Sequence, residues 1–265
     1  MSIRKYEFTG EKQVLPNGIT VSQIKALRDI PRFKVKEGDL GGWLQFSENL
    51  LEENDAWVNE GAIVYGIATV VRDNAYIGGQ ATVASTFDAY STIGGDTFIS
   101  DKAVVKNCVF TGKEITIRGE AQVESCNFYG KNIVVRGTAS IKGVSIMESA
   151  KKVYISDKAV VKEKLLPLLI HGENVTIKDN ARLIDVNRIV GADFTACEDC
   201  LVEDGVTFIG RRIHLSGASS LRGKLQVDND VTLSECVTIF NDTKELIVIK
   251  GIELGGDISL PASTI

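Results

Sequence analysis

The chain has 265 residues, 44% of them apolar and 25% charged, with a formal net charge of -5. That is enough apolar material for a long, thin core, and the acidic balance argues against nucleic acid as a partner. The N-terminal MSIRKYEFTGEK lacks the apolar run of a signal peptide, and no later stretch approaches the roughly 18 consecutive apolar residues of a membrane span. The expectation is a cytoplasmic protein without a membrane partner. Five cysteines, an odd count without the spacing of a small secreted framework, fit that reducing compartment.

Residues 1–50 do not repeat. Within them Leu15-Pro16-Asn17-Gly18-Ile19-Thr20-Val21 sets Asn-Gly between apolar runs, the short-range signature of a β-hairpin. Gly38-Asp39-Leu40-Gly41-Gly42-Trp43 follows, glycine-rich enough for tight turning, and Trp43 and Trp57 are expected to plug the end of a core.

From Ala56 the chain acquires a rhythm. Ala56, Ala62 and Ala68 stand six apart, each followed two residues later by Val58, Val64 and Val70. Further on, the period of three such hexads dominates: Ile99, Ile117 and Val135, then Ala103, Ala121 and Ala139, then Val105, Val123 and Ile141 are each 18 apart. A unit of six with one aliphatic and one small residue is the hexapeptide pattern of a triangular parallel β-helix, and columns in register mean that each coil stacks on the next. Gly119, Gly137, Asp157 and Asp179 fall where each coil must turn sharply.

The predicted fold is therefore all-β: a single-stranded parallel β-helix solenoid over 51–240 with coils of about 18 residues. An N-terminal β-hairpin cap occupies 1–50, and a C-terminal strand and tail occupy 241–265. Extra residues in later coils must leave as loops, of which Glu163-Lys164-Leu165-Leu166-Pro167 is the clearest.

Gly38-Asp39-Leu40-Gly41-Gly42-Trp43, then Glu48-Asn49-Leu50, then Ala56-Trp57-Val58 running into Ala-x-Val hexads, resembles the YdcK-like proteins of bacteria and their phages. The likeness covers roughly residues 1–85, with the repeat alone beyond. It implies a left-handed β-helix related to hexapeptide acyltransferases, with acetyl-CoA as their cofactor and the trimer as their usual assembly.

An acyltransferase of that kind needs a general base, usually histidine. His171 opens the corner His171-Gly172-Glu173-Asn174 beside a loop and is the better candidate, with a polar turn residue as the plainer alternative. His214 lies between Ile213 and Leu215, which points it outward from a strand. A basic row of Lys113, Lys131 and Lys151, flanked by Arg118 and Arg136, is a candidate site for an anion or a phosphate-bearing cofactor, with a solvated mixed-charge corner as the alternative. Cys197 and Cys200 form a lone CxxC, weak as a zinc signal, and no metal is expected; Cys200 aligns with Ala121 and Ala181 and reads as a core thiol. Cys108 and Cys126 likewise read as one buried column. No phosphate loop, HExxH or GxSxG occurs.

Two functions follow. The first is a scaffold or binding protein without a recognisable active site or cofactor, acting through flat faces on a protein partner or by self-association. The alternative is a coenzyme A-dependent acyltransferase. For the first, the candidate interface is the outward column containing Tyr76, Phe98, Val134 and Tyr154, a β-branched and aromatic stripe that carries no charge until His214.

Overall fold

The computed structural model describes residues 4–85, 91–107, 109–110, 113–125, 127–128, 131–143, 145–146, 151–163, 168–169, 173–185, 188, 192–208 and 211–265. These residues form strands, turns and three single-turn 3-10 helices (Pro31–Phe33, Ser47–Asn49 and Ala262–Thr264). The strands stack in parallel as a β-solenoid, the architecture that the repeat predicts. The chain divides into two compact units, Met1–Val123 and Glu124–Ile265.

The first unit begins with strands β1 (Tyr6–Val14) and β2 (Thr20–Ala26), paired antiparallel from Tyr6↔Ala26 to Val14↔Thr20 with an irregularity between Phe8 and Lys12. The Asn-Gly signal forms the expected turn: Leu15 N–H donates to Ile19 O and Gly18 N–H to Leu15 O, both at 2.8 Å. Strand β3 (Leu40–Leu44) runs antiparallel to β2 and parallel to Ile63–Tyr65, so three cap strands extend the sheet beyond its first coil. Gly41 and Gly42 serve close approach rather than turning. A Cβ at Gly41 would lie 2.6 Å from Ile24 and 2.8 Å from Trp57, and one at Gly42 2.5 Å from Ala62 O. Trp57 is fully buried beneath this contact. Trp43 differs from its expected role: alternation along β3 turns it outward, where it packs with Leu15, Ile19 and Ile63 against Val21 and Tyr65.

Successive coils of this unit send a strand to each of three parallel sheets: Trp57–Val58, Ile63–Tyr65 and Thr69–Val71, then Tyr76–Ile77, Thr82–Ala84 and Ser91–Ile93. Inward residues stack like on like. Val58, Ile77, Ile99 and Ile117 form one fully buried aliphatic column. Ala62, Ala81, Ala103 and Ala121 form the small-residue column, each accepting a 2.9 Å bond from the residue after its neighbour. Alanine there lets the sheets approach at crystal-like density without filling space twice.

The second unit repeats the scheme. Ser140–Lys142, Val160–Lys162, Arg182–Ile184, Leu201–Glu203, Ser220–Gly223, Cys236–Asn241 and Asp257–Pro261 pair in parallel, in that order. Ala139, Ala159, Ala181, Cys200 and Ser219 form its buried small-residue column. The stretch read from sequence as a strand and tail makes one more coil: Ile247–Lys250, Glu253–Leu254 and Asp257–Pro261 each add in parallel to the strand before. The alternations Ile252-Glu253-Leu254 and Ile258-Ser259-Leu260 carry that signal, displaced from the 18-residue register by the turn at 242–246.

The corners are left-handed. Asp101 and Gly119 in the first unit have φ of 60° and 77°, and Gly137, Asp157 and Asp179 in the second have 71°, 60° and 60°. Aspartate enters this region more readily than most residues because its short side chain bonds locally. Here it bonds the corner amide of the following coil: Asp101 Oδ2 accepts from Gly119 N–H at 2.8 Å, and Asp179 Oδ2 from Glu198 N–H at 3.2 Å. Cys108, Cys126, His171 and the loop residues 164–167 lie outside the described residues.

Candidate functional site

The outward stripe is built by strand alternation. In the first unit Trp57, Tyr76, Phe98 and Thr116 are in register on successive strands. Tyr76 and Phe98 stack nearly parallel, ring centroids 5.0 Å apart and planes 9° apart. Trp57 lies under the cap, and Phe33 of the cap's 3-10 turn packs on Tyr76 with ring centroids 4.9 Å apart. Burial pushes the Tyr76 phenol up. Phe98 remains 39% exposed. Beside these rings Arg32 pairs with Asp96 at 2.7 Å, and Asn74 donates to the same carboxylate at 3.3 Å, which pins the turn against the strand face.

In the second unit Val134 and Tyr154 are neighbours through the Val135↔Ile155 bridge, both half-buried. The Arg136 guanidinium lies 4.6 Å from the Tyr154 ring centroid, a cation–π contact. The stripe is therefore not free of charge before His214, because a residue of the adjacent corner folds over it. His214 is exposed and in register with Thr232, which pairs in turn with Glu253.

The members of the basic row fall in both units. Lys131 and Lys151 are bridge partners in the second unit, and Lys151 forms an ion pair with Glu173 at 3.3 Å between exposed side chains. Lys113 and Arg118 are exposed in the first unit, where Glu120, one of the acids beside the row, pairs with Lys102 at 3.1 Å. Arg136 is engaged with the Tyr154 ring.

Cys197 and Cys200 are buried and donate toward the carbonyls of Leu215, at 3.4 Å, and Gly217, at 3.8 Å. Burial raises both thiols, Cys200 to about 12, which disfavours the nucleophilic thiolate. Among the described residues no group of three or more His, Cys, Asp or Glu could hold a metal ion.

Sequence reasoning missed two features of the cap. Phe33 lies in the non-repeating segment, so no register connects it to Tyr76. Lys5 is fully buried, its amine bonding the Leu51 carbonyl and Glu53 O at 3.4 Å, and burial lowers it from the usual 10.5 to about 8. Next to it an open groove of about 650 Å³ is lined by Arg4, Tyr6, Glu7, Phe8, Ser47 and Glu52. Tyr6 fixes one wall by donating to Ser47 O at 2.8 Å and Leu50 O at 3.2 Å. Compared with known proteins, the sequence matches no family model and no curated protein.

Proposed function

We propose that this chain is a β-helix scaffold that acts through the outward faces of its coils, and that it self-associates through outward strand faces, that of Phe98 in the first unit and that of Tyr154 in the second. The observation behind this reading is the Tyr76–Phe98 stack, in register on adjacent strands, which leaves a large aromatic ring 39% exposed on a strand face. A solvated strand face favours charge, and an exposed ring held rigidly by a neighbour loses little further freedom when a second molecule covers it. Closed rotational symmetry, a trimer in the simplest case the resemblance suggests, would bury the same face in every copy. The test is sedimentation of the wild type against a chain carrying both Phe98→Glu and Tyr154→Glu. The double variant should sediment as a smaller species with unchanged circular dichroism. A wild type that is monomeric at tens of micromolar, or a double variant with the wild-type mass, refutes the reading.

A further inference from the structure

One outward patch of the second unit gathers positive charge that the chain does not compensate. Ser140–Lys142, Val160–Lys162 and Arg182–Ile184 are neighbouring strands whose middle residues, Ile141, Val161 and Leu183, are buried. Alternation therefore turns Lys142, Lys162 and Arg182 outward, and all three are exposed. Lys142 and Lys162 are direct register partners. Arg182 is the partner of Val160, which lies two residues before Lys162 on the same side of its strand. Such diagonal neighbours stand about 7–8 Å apart, within the reach of long side chains.

Elsewhere in this unit cations on the coils meet acids: Arg222 bonds Glu203 at 2.7 Å, and Lys151 pairs with Glu173 at 3.3 Å. Among the described residues the side chains of Lys142, Lys162 and Arg182 make no hydrogen bond or ion pair. The acids around them are engaged in other contacts. Glu203 belongs to Arg222, while Glu124 on the strand before Lys142, and Glu163 and Asp185 in the turns, have partners of their own. Two lysines in direct register, on strands about 4.8 Å apart, repel each other, and an anion seated between them and the guanidinium removes that repulsion.

Two ammonium groups and a guanidinium offer more charge and more donors than one carboxylate can use; they match an oxyanion with three oxygens and two charges. Beside the cations lie Ile184, in register with Lys162, and Leu201, in register with Arg182, both half-buried and turned outward. They form an aliphatic shelf next to the charged seat. Glu124 on one side and Glu203 on the other limit the row to a single small anion rather than a polymer. We propose that Lys142, Lys162 and Arg182 hold the phosphate of a small-molecule phosphate monoester whose apolar body lies on Ile184 and Leu201.

The test is titration of the isotope-labelled wild-type chain with phenyl phosphate and with inorganic phosphate at about pH 8, where both are dianions. Phenyl phosphate should shift the amide resonances of Lys162, Arg182, Ile184 and Leu201, and should bind about tenfold more tightly than inorganic phosphate because its ring covers the shelf. Lys162→Gln and Arg182→Gln should each weaken binding about tenfold. Lys250→Gln, which removes an exposed lysine of the same unit outside the row, should leave it unchanged. Without ligand, Lys162→Gln should match or exceed the wild-type urea midpoint, since it relieves the repulsion with Lys142. Four results overturn the proposal: no saturable binding at millimolar ligand, equal affinity for the two phosphates, a loss from Lys250→Gln as large as that from Lys162→Gln, or a lower urea midpoint for Lys162→Gln. These residues lie on a different sheet from Phe98 and outside the Val135–Ile155 bridge beside Tyr154, so sedimentation decides the self-association reading separately.

Discussion

Gly137→Ala is the sharpest test of how closely the coils are stacked. Gly137 has φ of +71°, and a Cβ there would lie 2.7 Å from Asp157 O and 2.8 Å from Asp157 N and Cα, all backbone atoms of the next coil. Gly205, in the same unit, has φ of +95° with no atom within 4 Å of a built Cβ. Both substitutions incur the left-handed penalty of an L-residue, about 1–2 kcal/mol. Both also restrict the unfolded chain by the same amount, which cancels in the comparison. Only Gly137→Ala must in addition push two coils apart against their hydrogen bonds, an overpacking cost of about 1–3 kcal/mol. Gly205→Ala should therefore lose about 1–2 kcal/mol and Gly137→Ala about 2–5 kcal/mol, read as urea midpoints multiplied by a shared m-value. Equal losses for the two variants would refute the stacking distance at this corner.

The remaining expectations are independent of one another. Ala139→Leu places a large side chain in the fully buried small-residue column and should cost about 1–3 kcal/mol; a urea melt identical to wild type would mean that this face does not point inward. Cys236 is exposed whereas Cys197 and Cys200 are buried with raised pKa, so a thiol reagent followed by mass spectrometry should modify Cys236 before Cys197 and Cys200. Modification of Cys200 at the rate of Cys236 would contradict the core assignment. Lys5 falls from 10.5 to about 8 on folding, so the unfolded chain binds more protons between those pH values. Its contribution to stability therefore rises with pH across that window, by about 3 kcal/mol in total. Raised Tyr6, Cys197 and Cys200 pull the other way at alkaline pH, since a group whose pKa is raised on folding loses its contribution as pH climbs. The stability of wild type minus that of Lys5→Met isolates the lysine; a difference flat from pH 8 to 10.5 would show that Lys5 is not desolvated.

What could be read from the sequence and what could not divide along one physical line. In a solenoid every inward position faces its own equivalent one coil on, so the register in sequence is the register in space. Ala103 with Ala121, or Ala181 with Cys200, needed no further information. The cap obeys no such rule. Gly41 and Gly42 looked like turn residues because glycine usually is; their role depends on Ile24, Trp57 and Ala62, which no period connects to them. Phe33 reaches Tyr76 and Arg32 reaches Asp96 by the same kind of non-periodic contact. The final coil was lost because its turn at 242–246 breaks the period, even though the alternation of apolar residues persists.

The charged residues illustrate why the function is harder to read than the fold. A periodic chain brings charges into rows whether or not a ligand exists, and the fold then has to compensate them locally. Lys102 with Glu120, Lys151 with Glu173 and Arg222 with Glu203 are such compensations, each between adjacent coils. Exposed pairs of this kind contribute up to about 1 kcal/mol apiece. Of the basic row, Lys151 is compensated in this way. Phe98 has no comparable account: its stack with Tyr76 leaves it 39% in water. A threonine there, as at Thr116 one coil on, would satisfy β-propensity without exposing a ring. The residue type exceeds what the strand requires, and that excess is what supports the proposed covering by a second copy.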